Sequence, residues 1–233
     1  MRRFKRKVNR GLLLGAVLLL GLAVFVIVSE VLFRQQIPDI RETVQAYVNA
    51  LPGLNSLPED AQVGQTLSAA QQEEQNRKLE AFLDQYWTEG EKSQGDGFYV
   101  TFSASDIRSY VQKLWNSPLS ANFRDFSVLV PERSISVRAS GAGYALVSVS
   151  VQDFNALCTG RADALFCGLC DEESVDAEVP GTDGAEEVRA ERRVSYLMEL
   201  SFEMKRVGGE WKIVSVSGYC APSAEYEGTE VAE

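Results

Sequence analysis

Residues 194–219 read VSYLMELSFEMKRVGGEWKIVSVSGY, two stretches of period-two alternation on either side of Gly208-Gly209. A glycine pair between such stretches is short-loop chemistry, because glycine reaches the positive φ angles that a tight hairpin turn requires. A long antiparallel hairpin is therefore expected, 194–207 against 210–219. The same alternation runs through 126–130, 135–139 and 144–151, with Ser140-Gly141-Ala142-Gly143 as the turn between the last two.

Before residue 123 the period is helical. Ile40, Val44, Tyr47, Val48 and Leu51 space out a helix over 34–51, and Pro52-Gly53-Leu54-Asn55-Ser56-Leu57-Pro58 reads as the linker that breaks it. A second helix is expected from Leu67 or Ser68 to about Lys92. Its stripe of Leu79, Phe82, Leu83, Tyr86 and Trp87 is core-facing by its spacing. Turn chemistry at 93–97 leads to a short strand over 98–102. A third helix, capped by Ser103 or Ser105, presents Ile107, Tyr110, Val111, Leu114 and Trp115 and stops at Asn116-Ser117-Pro118. Helices followed by locally paired strands define the α+β class, here helices packed on a curved antiparallel sheet.

The N-terminal third has a different solvent. Residues 12–28, LLLGAVLLLGLAVFVIV, are apolar or small without interruption. A helix over 11–33 would be roughly 34 Å long, enough to cross a hydrocarbon core of about 30 Å. Arg2, Arg3, Lys5, Arg6, Lys7 and Arg10 precede it. That cluster predicts a cytoplasmic N-terminus and a domain outside the cytoplasm, in the inner or plasma membrane. The run exceeds the apolar core of a cleaved signal, and Ile27 is bulky where cleavage wants a small residue, so an uncleaved anchor is expected. The organisation read is a basic tail over 1–10, the span over 11–33, a juxtamembrane helix and linker over 34–66, and an α+β domain over 67–220. An exposed acidic loop over 171–193 interrupts that domain, and a mobile acidic tail over 221–233 follows it.

Charge excludes one class of partner. The chain carries a formal −10, yet six of its 23 basic residues lie in the first ten positions and only one of its 33 acidic residues, Glu30, falls in the span. Everything after the span is more acidic still, which repels nucleic acid. There is no histidine. Serine–histidine and cysteine–histidine hydrolysis are thereby excluded, and the commonest metal ligand is absent.

Cys158, Cys167, Cys170 and Cys220 are the four cysteines, all in the part expected outside the cytoplasm. Disulfides are the expectation in such a compartment. Three connectivities are open; the preferred one joins two cysteines within 158–170 and ties that loop to Cys220. Cys167-Gly168-Leu169-Cys170 has the C-x-x-C form of redox dithiols, but it leads into an acidic stretch that would raise thiol pKa values. A four-cysteine zinc site needs two close pairs, and only one exists. The acidic runs Asp171-Glu172-Glu173 and Glu186-Glu187 lack the calcium-loop pattern. No catalytic, cofactor or metal residue is assigned.

The order of elements, closing on Glu199-Leu200-Ser201-Phe202-Glu203-Met204-Lys205-Arg206 and Gly209-Glu210-Trp211-Lys212-Ile213-Val214-Ser215-Val216, resembles the SnoaL-like or nuclear-transport-factor-like cone. Membrane-anchored members of that group imply an assembly or ligand-holding role over residues 68–220, usually without catalysis. Ser103-Ala104-Ser105-Asp106-Ile107-Arg108-Ser109-Tyr110 after a strand also resembles tubular lipid-binding-like envelope proteins. The helix before residue 98 and the cysteine-bearing insert depart from that second pattern. The expected function is thus a non-enzymatic single-pass membrane protein that binds other proteins of a membrane complex. A lipid or small-ligand binder is the alternative, and a thiol oxidoreductase the third reading.

Overall fold

The structure is a computed structural model that describes residues 10–90, 100–141, 143–170 and 191–227. The basic tail up to residue 9, the turn at 93–97, the start of the 98–102 strand and the acidic loop up to residue 190 lie outside the described residues. The chain divides into two compact units, residues 1–39 and 40–233.

The first unit is one helix, α1 (Arg10–Arg34). It is long and apolar enough to cross a membrane, and none of its apolar window is buried by protein. Leu18, Leu19 and Leu20, about 100° apart around the helix, each leave at least 65% of their surface exposed. A helix that is apolar all round matches a hydrocarbon solvent rather than a protein core with a wet side. At its end, Arg34 Nε donates to Glu30 Oε1 at 2.8 Å, one turn back.

The second unit is α+β. Three helices, α2 (Ile37–Asn55), α3 (Ala69–Tyr86) and α4 (Ala104–Trp115), precede five strands: β1 (Ala121–Leu129), β2 (Ile135–Gly141), β3 (Tyr144–Gly160), β4 (Arg192–Val207) and β5 (Glu210–Glu227). Every strand pairing is antiparallel, in the order β1-β3-β4-β5, with β2 also on β3. The first half of β3 pairs with β2 and its second half with β1, so the two short strands share one edge. Register breaks at Arg124/Ser127, Val151/Phe154, Ser195/Tyr196 and Glu203/Met204 bend the strands locally. Asp125 takes a positive φ of 49° at the first of them.

One face of the sheet is buried. Val147, Val149 and Phe154 of β3, with Tyr196, Met198, Leu200 and Phe202 of β4, lie at 3% exposure or less. The helices meet them through Ile40, Val44, Tyr47 and Leu51 of α2, Leu79 and Phe82 of α3, and Ile107 and Val111 of α4. Tyr47 stacks or edges against four rings, Phe82, Tyr86, Trp87 and Phe202, with centroids 5.1 to 6.2 Å away. Capping is local: Ser68 with Gln71 and Ser103 with Asp106 each form a reciprocal capping box. Arg108 donates Nε and Nη2 to the two oxygens of Glu80 at 2.7 and 2.8 Å, joining α4 to α3 and lowering the Glu80 carboxyl pKa. Both groups are substantially exposed, so solvent screens most of that pair's worth.

Four sequence expectations change. Pro52 does not end α2; the helix continues to Asn55 with Pro52 inside it. Burial of Leu51 and Leu54, and the bond from Asn55 Nδ2 to Leu51 O at 2.9 Å, offset the amide that proline lacks. The second helix stops at Tyr86, not near Lys92, because Trp87 turns extended and bridges Ile213, and Thr88 N donates to Ile213 O. Residues 192–193, read as loop, open β4, and β5 runs to Glu227 through seven residues read as mobile tail, held by backbone pairing with β4 from Arg192↔Glu227 onward.

Gly218, at φ +146°, lies where a Cβ would come within 2.0 Å of Glu199 O. Gly218→Ala should lower stability by more than ~2 kcal/mol, read as an earlier midpoint in chemical unfolding of the detergent-solubilised chain. An unchanged midpoint would show that β5 is free to move away from β4.

Candidate cysteine cleft

The site is built by the chain that leaves β3. At Gly160 (φ +91°) an added Cβ would meet Ser120 O at 2.4 Å, so only glycine allows this close crossing of β1's approach. Arg161 N then donates to Ser120 O at 2.9 Å, and a 3-10 turn forms over Ala162–Ala164. Tyr196 Oη donates to Ala162 O at 2.8 Å, fixing that turn to β4. The next contact is an amide clamp: Asn55 Nδ2 donates to Phe166 O at 2.7 Å, and Phe166 N donates to Asn55 Oδ1 at 2.8 Å. Asn55 thus pairs with Phe166 as a neighbouring strand would, inside the core and at 7% exposure.

Cys167 follows directly. Gly168 (φ +89°) packs over Tyr47, where a Cβ would stand 2.6 Å from the hydroxyl. The Cys167-Gly168-Leu169-Cys170 loop is therefore gripped by Asn55 and Tyr47 of α2 and, through Ala162, by Tyr196 of β4. It forms one wall of a cleft of about 490 Å³ that Phe102, Tyr110, Tyr196 and Cys220 also line.

The structure brings three of the four cysteines, Cys167, Cys170 and Cys220, to this cleft. Cys158 sits on β3, fully buried, with its Sγ 3.8 Å from Gly160 O. Cys220 reaches the cleft because of the register break at Glu203/Met204: Met204 faces Ile213 but Glu203 faces Ser215, so Val214 is an extra residue. Beyond it Val216, Gly218 and Cys220 oppose Phe202, Leu200 and Met198 and turn inward with them.

The cleft's thiol and phenols are held in their protonated forms, while Asp163 brings a carboxylate to its lining. The Cys220 thiol shares a hydrogen bond with Cys167, and this bond, then burial, pushes its pKa well above the ordinary thiol value. Burial first, and the nearby Cys158 and Cys220 next, push the Tyr196 phenol up. Tyr47 is pushed up by burial, then by Cys167 and Cys170, and its hydroxyl has no hydrogen-bond partner. The phenols and the Cys220 thiol stay protonated at neutral pH. Among the described residues no three Cys, Asp or Glu side chains converge on a metal-binding arrangement. Sequence reasoning placed Tyr47 in a helical core stripe and Asn55 in a linker, and did not single out Tyr196. An asparagine carries no local sign of the strand-like clamp it makes 111 residues away.

No protein-family model matches the chain. No curated protein matches it either. Among solved structures, the chain is similar to the crystal structure of a "putative aromatic ring hydroxylase" from Novosphingobium aromaticivorans, with 14% identity, 79% of this chain and 94% of that chain covered, and a TM-score of 0.40. That name belongs to that protein, and the likeness transfers no activity to this chain. The expectation of a non-enzymatic protein is corrected by the same finding, since the similar structure is named for an enzyme. The missing histidine excludes histidine-dependent mechanisms and no others.

Asn55→Ala should cost about 2–4 kcal/mol, because it strands the buried N–H and C=O of Phe166. Tyr47→Phe should raise stability by about 1–3 kcal/mol, since it removes a buried hydroxyl that bonds to nothing. Urea unfolding of both variants reads the contrast; equal losses would mean that the clamp and the phenol are not distinct in energy.

Proposed function

We propose that the chain is a single-pass membrane protein, N-terminus in the cytoplasm, whose extracytoplasmic α+β domain binds other proteins of a membrane complex. The observation that carries the reading is α1, a 25-residue helix with apolar side chains exposed on every side and six cations ahead of or at its start. Transfer of such a helix from water to hydrocarbon is favourable, while the cations resist crossing.

The domain supports a binding role through the sheet face that the helices leave open. Ser136, Ser148, Ser201 and Ser217 stand side by side across β2, β3, β4 and β5 in register. Around this polar row Leu146, Leu197 and Tyr219 are each at least 40% exposed. A polar surface with a few exposed apolar anchors suits a protein interface. Membership of the cone-shaped group, resting on the helices-then-sheet order and the Gly209-Glu210-Trp211-Lys212-Ile213 turn into β5, is part of this proposal.

The cleft favours a second reading. At about 490 Å³ it falls within the range of small-molecule sites, and its mix of aromatic rings with Asp163 suits a small ligand or lipid that carries a polar group beside its apolar part. Native mass spectrometry of the detergent-purified chain would then show a co-purifying small molecule.

Crosslinking in intact membranes, followed by purification in detergent, should recover a partner protein in stoichiometric amount. Leu146→Arg on the open face should reduce its yield by ~10-fold or more while leaving unfolding unchanged. A chain that emerges alone from crosslinking would sink the assembly role. A phosphatase fused after Glu233 that stays inactive, with its fluorescent counterpart bright, would reverse the orientation.

A further inference from the structure

We infer that Cys167 and Cys220 are the two ends of a disulfide that staples the loop after β3 to the last strand. Both residues line the same cleft, and Cys220 turns into it from β5 opposite Met198. Neither end has slack. Cys167 is the residue after Phe166, whose N–H and C=O are both held by Asn55, and the residue before Gly168, which lies against the Tyr47 hydroxyl. Cys220 sits opposite Met198 in the β4–β5 ladder, two residues past Gly218, which fits against Glu199 O with no room for a Cβ. Bridging two positions that face one cleft from firmly held backbone needs little movement, which is the geometric condition for an unstrained disulfide.

The chemistry is thiol–disulfide exchange. A disulfide-bearing oxidant, a protein dithiol oxidase or oxidised glutathione, is attacked by one thiolate to give a mixed disulfide and one released thiol. The second cysteine then attacks the first, forming the Cys167–Cys220 bond and releasing the oxidant's other thiol. Two protons and two electrons leave the pair, and the oxidant is reduced to two thiols. Cys170, three residues from Cys167 and in the same cleft, is the competing partner. The clamp on Phe166 and the inward turn of Cys220 at the Val214 bulge favour the long-range pair. The bridge would enclose β4 and everything between residues 167 and 220, so it restricts the unfolded chain strongly.

Formation in the cell rests on the extracytoplasmic placement proposed above, and the experiment separates the two. The full-length chain is alkylated with N-ethylmaleimide at lysis, purified in detergent, digested without reduction and mapped by fragmentation mass spectrometry. A parallel sample is reduced, exposed to oxidised glutathione, then alkylated and mapped. A peptide pair joining Cys167 to Cys220 is expected in both samples. It should persist in Cys170→Ser and Cys158→Ser, vanish in Cys167→Ser, and its reduction should lower the melting temperature by ~10 °C. Appearance only after oxidised glutathione supports the pairing and tells against the topology. A bridge from Cys220 to Cys170 or Cys158, a closed Cys167–Cys170 pair, or Cys220 alkylated in both samples overturns it; the wild-type map decides this even if a variant does not fold.

Discussion

Tyr47 is where the helices and the sheet agree on one position. Its ring lies 5.1 Å from Phe82 and 5.3 Å from Phe202, so α2, α3 and β4 are all fixed to a single side chain with no exposed surface. Burying an aromatic side chain this completely contributes several times what one hydrogen bond does, and ring pairs add about 0.5–1.5 kcal/mol each. That surplus tolerates a phenol hydroxyl with no partner, a loss of about 1–3 kcal/mol. The hydroxyl is also the surface over which Gly168 passes, so the element that organises the core sets how near the cysteine loop can come.

Much of the fold follows from local chemistry and was legible. The Gly208-Gly209 hairpin, the helical stripes of α2 to α4, the Ser103 cap and the helices-before-strands order all reflect burial patterns that repeat within a few residues. What was not legible depends on partners distant in sequence. Pro52 reads as a breaker because proline lacks an amide, yet Leu54 and Asn55 have a core to enter and α2 continues into it. The far end of β5 shows no alternation because its pairing with β4 is made by the backbone, which needs no apolar face.

The two apolar helices that open the chain show why periodicity carries more information than composition. α1 exposes leucine and phenylalanine all round, whereas α2 confines Ile40, Val44, Tyr47, Val48 and Leu51 to one buried stripe. A soluble core needs only one apolar stripe on a helix, because the opposite side meets water. An unbroken apolar circumference calls for a surrounding that is apolar in every direction, and only α1 has that requirement.

The cysteine cleft depends on a single inserted residue. Along an unbroken β5, Trp211 and Ile213 would put the odd-numbered positions on the core face and turn Cys220 outward beside Leu197. Val214 shifts the register by one, so Cys220 points inward, opposite Met198 and against Cys167. The setting it enters does not suit rapid redox turnover. Reactive C-x-x-C pairs gain their low thiol pKa from a helix N-terminus or a nearby cation. Cys167 instead follows a 3-10 turn and a clamped backbone, facing a thiol whose proton is held by burial and by the sulfur opposite. Attack by thiolate scales with the fraction deprotonated, which makes Cys220 a poor attacking thiol. A raised pKa also makes it a poor leaving group when the bond is reduced. Slow exchange between two rigidly held sulfurs is the behaviour of a structural bond, and it fits a loop whose other fastenings, Asn55 and Tyr196, are also static.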